Sequence, residues 1–275
     1  MYGNVYLPQY NAIAYTWGRF REIDTSLQVP ILYVNGIEWS IPMIKPFHFD
    51  VAKLNAAIQR STSDYLAENG GCIEYLWIDI ACIVQRRNID SDLEIDRQAQ
   101  IFGHAHRVYV WLGRSSARRF EELHVFWSFW KCMYDQWNTG RYNQEALDQA
   151  VGVLAEFNRE PWFSSVWTLQ ETYLRKDAVL LMDNGESLAI NDTHTTISDY
   201  LRLQHLLGAC NSVWRSCWSG MEGLEAEQVT LQLSDLGIIG LNRNDPMRLF
   251  ATAMSRNPSN EEDCIYGIQQ IFDLR

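Results

Sequence analysis

Basic residues are scarce in this 275-residue sequence: 23 Lys and Arg stand against 34 Asp and Glu, a net charge of −11, and no basic run exceeds Arg86-Arg87 or Arg118-Arg119. Nucleic-acid binding draws most of its affinity from cations that neutralise phosphates, which sets nucleic acid aside as a partner. Long apolar runs are also missing. Residues 75–84 and 125–130 are the longest, Asp79 interrupts the first, and neither approaches the roughly 20 residues of a membrane-spanning helix. The six cysteines, Cys72, Cys82, Cys132, Cys210, Cys217 and Cys264, contain no C-x-x-C pair, and the N-terminus lacks a charged-then-apolar signal pattern. Free thiols in a cytoplasmic protein are the expectation. No repeat or low-complexity segment is visible.

Aromatic residues are plentiful, with 11 Trp, 13 Tyr and 11 Phe. A buried indole N–H needs a partner, so many specific packing sites are expected. The run at 11–17, closed by Gly18, reads as a buried strand. Residues 31–41 place Asn35-Gly36 between alternating segments, which predicts a β-hairpin. Helical spacing follows over 50–66, then a strand at 75–80, a helix at 93–105 and a strand at 107–112. Residues 116–157 read as two helices and 161–175 as another with Pro161 in its first turn; a strand at 178–182 follows, turned back at Asp183-Asn184-Gly185. From 192 onward the pattern is mostly helical, with helices expected at 192–209, 246–255 and 263–272. Strands separated by helices imply a mostly parallel α/β sheet flanked by helices, with an inserted β-hairpin and a helical C-terminal part. One domain over 1–275 is expected, its core at about 8–190 and its helical extension at about 191–275.

Three blocks combine rare residues at tight spacing: Tyr15-Thr16-Trp17-Gly18; Leu76-Trp77-Ile78-Asp79-Ile80-Ala81-Cys82-Ile83-Val84-Gln85; and Pro161-Trp162-Phe163 through Val166-Trp167 to Gln170-Glu171. With Ala105, Val108 and Trp111-Leu112-Gly113, and with Asp263-Cys264-Ile265-Tyr266-Gly267, they resemble, in order, the blocks of the fungal heterokaryon-incompatibility (HET) domain family. Val84 and Ser165 depart from that pattern, which has asparagine and arginine there. The resemblance implies a role in allorecognition and regulated cell death. The strand and helix order is more distantly similar to Toll-type receptor (TIR) domains, which implies a flavodoxin-like sheet. Some TIR domains cleave NAD through a glutamate in a W-x-x-x-E context on the helix before the fourth strand. That likeness implies Glu171 as the catalytic residue, with Trp167 beside it, NAD as substrate rather than cofactor, and activity controlled by self-association or partner signalling proteins.

Read from the residues alone, Glu171 has two explanations. On one continuous helix it emerges from a stripe with Phe163, Trp167 and Leu174, where a carboxylate is either partnered or altered in proton affinity. Alternatively it pairs with Arg175 at i+4 on the surface. Open parallel sheets bind ligands beyond the strands' C-terminal ends. Trp17, Gly18, Arg19 and Phe20 stand beyond the first strand, the rings to stack on bases and Arg19 to meet a pyrophosphate; Tyr15 and Trp17 serve equally well as core. Asp79, Cys82 and Gln85 follow the second strand at the same edge. Asp79 caps the next turn or binds a ribose hydroxyl. Cys82 lacks a His and an acid at catalytic spacing and reads as a buried apolar thiol. No metal site is expected, His104 and His106 pointing to different faces of a helix.

Overall fold

The computed structural model describes residues 8–114, 159–201, 246–256 and 263–271, apart from single positions and short gaps within them. The expected helices at 116–157 and the whole region 202–245 lie outside the described residues. Four strands, β1 (Tyr10–Ala14), β2 (Tyr75–Trp77), β3 (Val108–Trp111) and β4 (Val179–Leu181), form one sheet in the order β2-β1-β3-β4. All three pairings are parallel, with Ala12 opposite both Trp77 and Val108, and Val110 opposite Leu180. This is the order of flavodoxin-like doubly wound sheets.

The strands read as unbroken apolar runs because both faces are covered. Ala12, Ala14, Val108, Val110, Leu112 and Leu180 point into one core, built with Phe102, Trp162, Phe163, Leu169, Leu249 and Ala253. Ile13, Tyr15, Tyr109, Trp111, Val179 and Leu181 point into the other, against Phe49, Leu54 and Ala57. The second core is covered by α1 (Val51–Asn69). Asp50 starts that helix, its Oδ1 accepting the N–H groups of Ala52 at 2.5 Å and Lys53 at 3.2 Å, as an N-cap aspartate does.

The first core is covered by α4 (Gln98–His104), α6 (Trp167–Leu174), α7 (Pro246–Ser255) and α8 (Asp263–Gln269). Short helices α2 (Asp79–Cys82), α3 (Ile89–Asp96) and α5 (Pro161–Ser164) complete the α/β architecture. The expected helix at 93–105 is therefore two helices that meet at Arg97. The helix at 161–175 also breaks, with Ser165 extended at φ −85°, ψ 138°. The Thr168 hydroxyl compensates by donating to the carbonyls of Trp162 and Ser165. A single stripe running through Phe163, Trp167 and Glu171 consequently does not exist.

The hairpin at 31–41 is not formed. Asn35-Gly36 does turn, with Gly36 at φ +85°, yet the described residues beside it carry no strand. The antiparallel hydrogen bonds lie farther out, from Glu22 N–H to Met43 O at 2.8 Å and from Lys45 N–H to Phe20 O at 3.0 Å. They close residues 21–44 as one wide loop, and Tyr33 at its tip is 86% exposed. The turn at Gly185 is as expected, with φ +80° and antiparallel pairing of Leu181 with Ser187. Beyond it a small ladder of β5 (Ala189–Ile190) and β6 (Thr193–His194) replaces the first turn of the helix expected from 192. The helix instead begins at 197, after Thr196 and Asp199 exchange capping hydrogen bonds.

Candidate functional site

The strand order reverses between β1 and β3, and beyond their C-terminal ends lies a small recess lined by Tyr15, Thr16, His48, Phe49, Trp111, Glu160 and Trp162. Just beyond β1, the Trp17 indole N–H donates to Asp79 Oδ2 at 2.7 Å, while the Ile80 N–H donates to Asp79 Oδ1 at 2.6 Å. Asp79 is thus the first residue of α2 and the anchor of Trp17 together, and both its oxygens have partners within the chain. The Tyr15 hydroxyl lies close to the same carboxyl without a well-formed hydrogen bond. Burial pushes Asp79 up to about 6, against the hydrogen bonds from Trp17 and Ile80 that favour the ion.

Glu171 sits on α6, opposite this pair. Its Oε2 is buried and has no hydrogen-bond partner among the described residues. Burial holds its carboxyl well above the usual carboxylate range, the Asp79 charge adds to this, and Arg256 opposes it. The surface pair with Arg175 does not exist. Arg175 turns away, donating to the carbonyls of Phe102 at 3.0 Å and Ala105 at 2.6 Å at the end of α4, and to Asp177 through two nitrogens. Arg175 is a structural clamp, and Glu171 is left to the site.

Arg256, immediately after α7, is 3% exposed. Its Nη1 donates to Ser165 O at 2.5 Å and to Thr168 Oγ1 at 3.3 Å, whereas its Nε and Nη2 are buried without partners among the described residues. Burial, with the Arg19 charge, lowers it to about 9. Arg19 extends from the 3₁₀ turn Gly18–Phe20, and its Nη2 donates to Pro161 O and Ser164 Oγ, both at 2.6 Å. Phe20 stacks on His48 with ring centres 3.7 Å apart and carries Arg19 and Arg114 over its face at 5.2 and 5.4 Å, a cation–π arrangement. His48 donates from Nε2 to Thr16 O and keeps Nδ1 buried without a partner among the described residues; burial lowers it to about 4, with the Arg114 and Arg19 charges acting in the same direction.

Among the expected site residues, Trp17, Arg19, Phe20, Asp79 and Glu171 therefore come together at one sheet edge. Trp167 is half-buried at the start of α6. Gly18 has open space where a Cβ would stand, so nothing local requires glycine. Gln85 spends its amide on the carbonyls of Ile83 at 2.8 Å and Asp79 at 3.3 Å, fixing the α2 turn. Cys82 is exposed and not the buried thiol expected, because α2 ends there at the surface. Its sulfur accepts the Ile78 N–H, and its thiol is held above its ordinary value by burial of the sulfur and by Asp79, so it stays protonated. Among the described residues neither Cys82 nor Cys264 is in a disulfide, and no cluster of metal-ligating side chains occurs. Likewise no described helix is long and apolar enough to cross a membrane. Arg256 and His48 are not among the expected residues. Their signals in the sequence are an arginine continuing the buried stripe of Leu249, Thr252 and Ala253, and a histidine set between Phe47 and Phe49.

The chain belongs to the heterokaryon incompatibility protein (HET) family, whose model matches residues 10–171. That span runs from the first residue of β1 to Glu171. Over 233 residues the chain is 24% identical to heterokaryon incompatibility protein 6, OR allele, of Neurospora crassa, covering 71% of this chain and 31% of that protein. It thus spans about a third of the length of that curated relative. No solved structure matches the chain significantly.

Proposed function

We propose that this HET-family domain acts in allorecognition and regulated cell death as a TIR-like NAD glycohydrolase, with Glu171 as its essential carboxylate. The observation that carries the reading is the buried Oε2 of Glu171, without a partner among the described residues, at the C-terminal edge of a parallel sheet, where such folds bind nucleotides. A carboxylate left without a donor in the interior is costly unless a ligand completes it.

In the proposed reaction the ribose C1′–N bond breaks and its electron pair leaves with nicotinamide, which departs neutral. The ribosyl oxocarbenium ion is captured by water, which releases a proton and yields ADP-ribose. Glu171 orients the ribose hydroxyls and stabilises the developing positive charge, as a glycosidase carboxylate does. Trp17, held by Asp79, and Phe20 offer ring faces for the bases. Burial raises Glu171, while Arg256 and a cationic nicotinamide ring favour its charged form, so turnover rises with pH through the Glu171 ionisation. The test is nicotinamide release by chromatography for wild type and Glu171→Gln, at low and high protein concentration. Release lost in the variant is the expected result; NAD consumption unchanged in pure Glu171→Gln refutes the mechanism.

A second reading rests on Val84 and Ser165, which replace the family's asparagine and arginine. In it the domain is a non-catalytic module that self-associates or docks signalling partners. Concentration-dependent assembly by light scattering, indifferent to Glu171→Gln and without nicotinamide release, would favour it; a head-to-tail contact would give open filaments rather than closed dimers.

A further inference from the structure

Three guanidinium groups, those of Arg19, Arg114 and Arg256, gather around the α5–α6 junction in a chain of net charge −11. None of them forms an ion pair among the described residues. Arg19 and Arg256 grip the same short stretch, the first through Pro161 O and Ser164 Oγ, the second through Ser165 O and Thr168 Oγ1. That anchoring fixes their direction but consumes only one nitrogen of each. The Nε and Nη2 of Arg256 form the edge of a guanidinium that binds two oxygens side by side, and they are buried with no partner among the described residues. Glu171 is close enough to influence Arg256, yet the two do not meet in a salt bridge.

We propose that Arg256, together with Arg19, is the anion-binding element of this site and takes the diphosphate of a nucleotide ligand, Arg256 through its Nε–Nη2 edge. The identity of that nucleotide as NAD rests on the reading above; the diphosphate contact does not. Arg19 at the surface and the buried Arg256 are like charges that raise one another's energy, and an anion between them removes that cost. The depressed proton affinities of Arg19 and Arg256 carry the same signature, each lowered by burial and by a neighbouring arginine. Arg256 also lies beyond the family-matched span, so the proposal assigns a binding role to the C-terminal helices.

Calorimetric titration of inorganic pyrophosphate, ADP and adenosine into wild type, Arg256→Gln, Arg256→Lys and Arg19→Gln tests it. Pyrophosphate and ADP should bind wild type and lose about tenfold or more in affinity in each Gln variant, since a charge-assisted contact is worth about 1.5–3 kcal/mol. Arg256→Lys, which keeps the charge but not the fork, should fall between. Adenosine should not distinguish the four proteins. Should Arg256→Gln fail to fold, Arg19→Gln, an exposed position, decides. Pyrophosphate affinity unchanged in Arg19→Gln, or no binding of pyrophosphate and ADP to wild type, overturns the proposal. Arginine-dependent pyrophosphate binding in a protein whose NAD consumption ignores Glu171→Gln would retain this site and remove the glycohydrolase reading.

Discussion

Substituting Asp79 by Asn removes a buried charge while keeping the shape, and its effect on stability should depend on pH in a way that the site geometry fixes. Burial moves Asp79 from its ordinary 3.8 to about 6 in the folded protein. At about 1.4 kcal/mol per decade, ionising the folded form costs about 3 kcal/mol. The folded value lies above the unfolded one, so this carboxyl's contribution is fully present below about pH 4 and is lost as the pH rises through about 6. By the same linkage the ionisation cost is under about 1 kcal/mol at about pH 4 but the full 3 kcal/mol or so at about pH 7.5. The amide brings a penalty of its own, because Trp17 Nε1–H and Ile80 N–H both donate to this side chain and an amide has one oxygen. That penalty of about 1–3 kcal/mol does not change with pH. Urea unfolding followed by tryptophan fluorescence at about pH 4 and about pH 7.5 should therefore show the stability of Asp79→Asn, relative to wild type, rising by about 2–3 kcal/mol at the higher pH. Loss of the Asp79 charge also lets Glu171 ionise more readily, which acts in the same direction. A stability difference equal at the two pH values would refute the assignment of a buried, strained charge at Asp79.

Arg175→Ala should cost about 3 kcal/mol or more in the same unfolding assay, since it strips the α4 carbonyls of Phe102 and Ala105 of their buried donor. Gly185→Ala should be as damaging, its Cβ falling 2.7 Å from the backbone of Ala56 and Ala57 at φ +80°, whereas Gly18→Ala should change the thermal midpoint by less than about 2 °C. His48 should titrate with a midpoint near 4 by NMR and be the neutral Nε2–H tautomer at neutral pH. Its folded value lies below 6.5, so it withdraws stability as the pH falls from about 6.5 to about 4. Glu171→Gln, besides losing nicotinamide release, should raise the thermal midpoint at mildly alkaline pH, because it removes a buried charge whose Oε2 has no donor among the described residues.

Where one face or two faces of an element are buried, local sequence suffices to place it, and the strands β1, β3 and β4 follow from apolar runs that both cores require. The pairing choice does not follow. Asn35-Gly36 makes its turn, but the flanking residues leave the pairing to Phe20 and Glu22, which bond to Lys45 and Met43. The helix breaks at Arg97 and Ser165 are equally hidden, since periodicity tolerates a kink that tertiary contacts impose. Ser165 becomes extended because Thr168 and Arg256 together satisfy the carbonyls the break exposes, and one of those groups comes from a distant helix. The same long reach separates the two halves of the site. Glu171 is visible through its tryptophan spacing, Arg256 only as a charged residue in line with Leu249 and Ala253.

That separation bears on how the site works. The family-matched span ends at Glu171, and within it the glutamate faces a second buried carboxyl, Asp79, whose charge raises its proton affinity further. Two acids so placed favour sharing protons over holding a cationic sugar. The helices α7 and α8 pack on the first core through Leu249, Ala253, Cys264 and Ile268, and the end of α7 brings Arg256 close enough for its charge to act on Glu171. The guanidinium favours the charged carboxylate without neutralising it by contact, since its Nη1 is tied to Ser165 and Thr168. Had the two side chains closed into a salt bridge, both would have been satisfied and neither available to a ligand. Holding them apart leaves both the Nε–Nη2 edge of Arg256 and the Oε2 of Glu171 without a partner among the described residues.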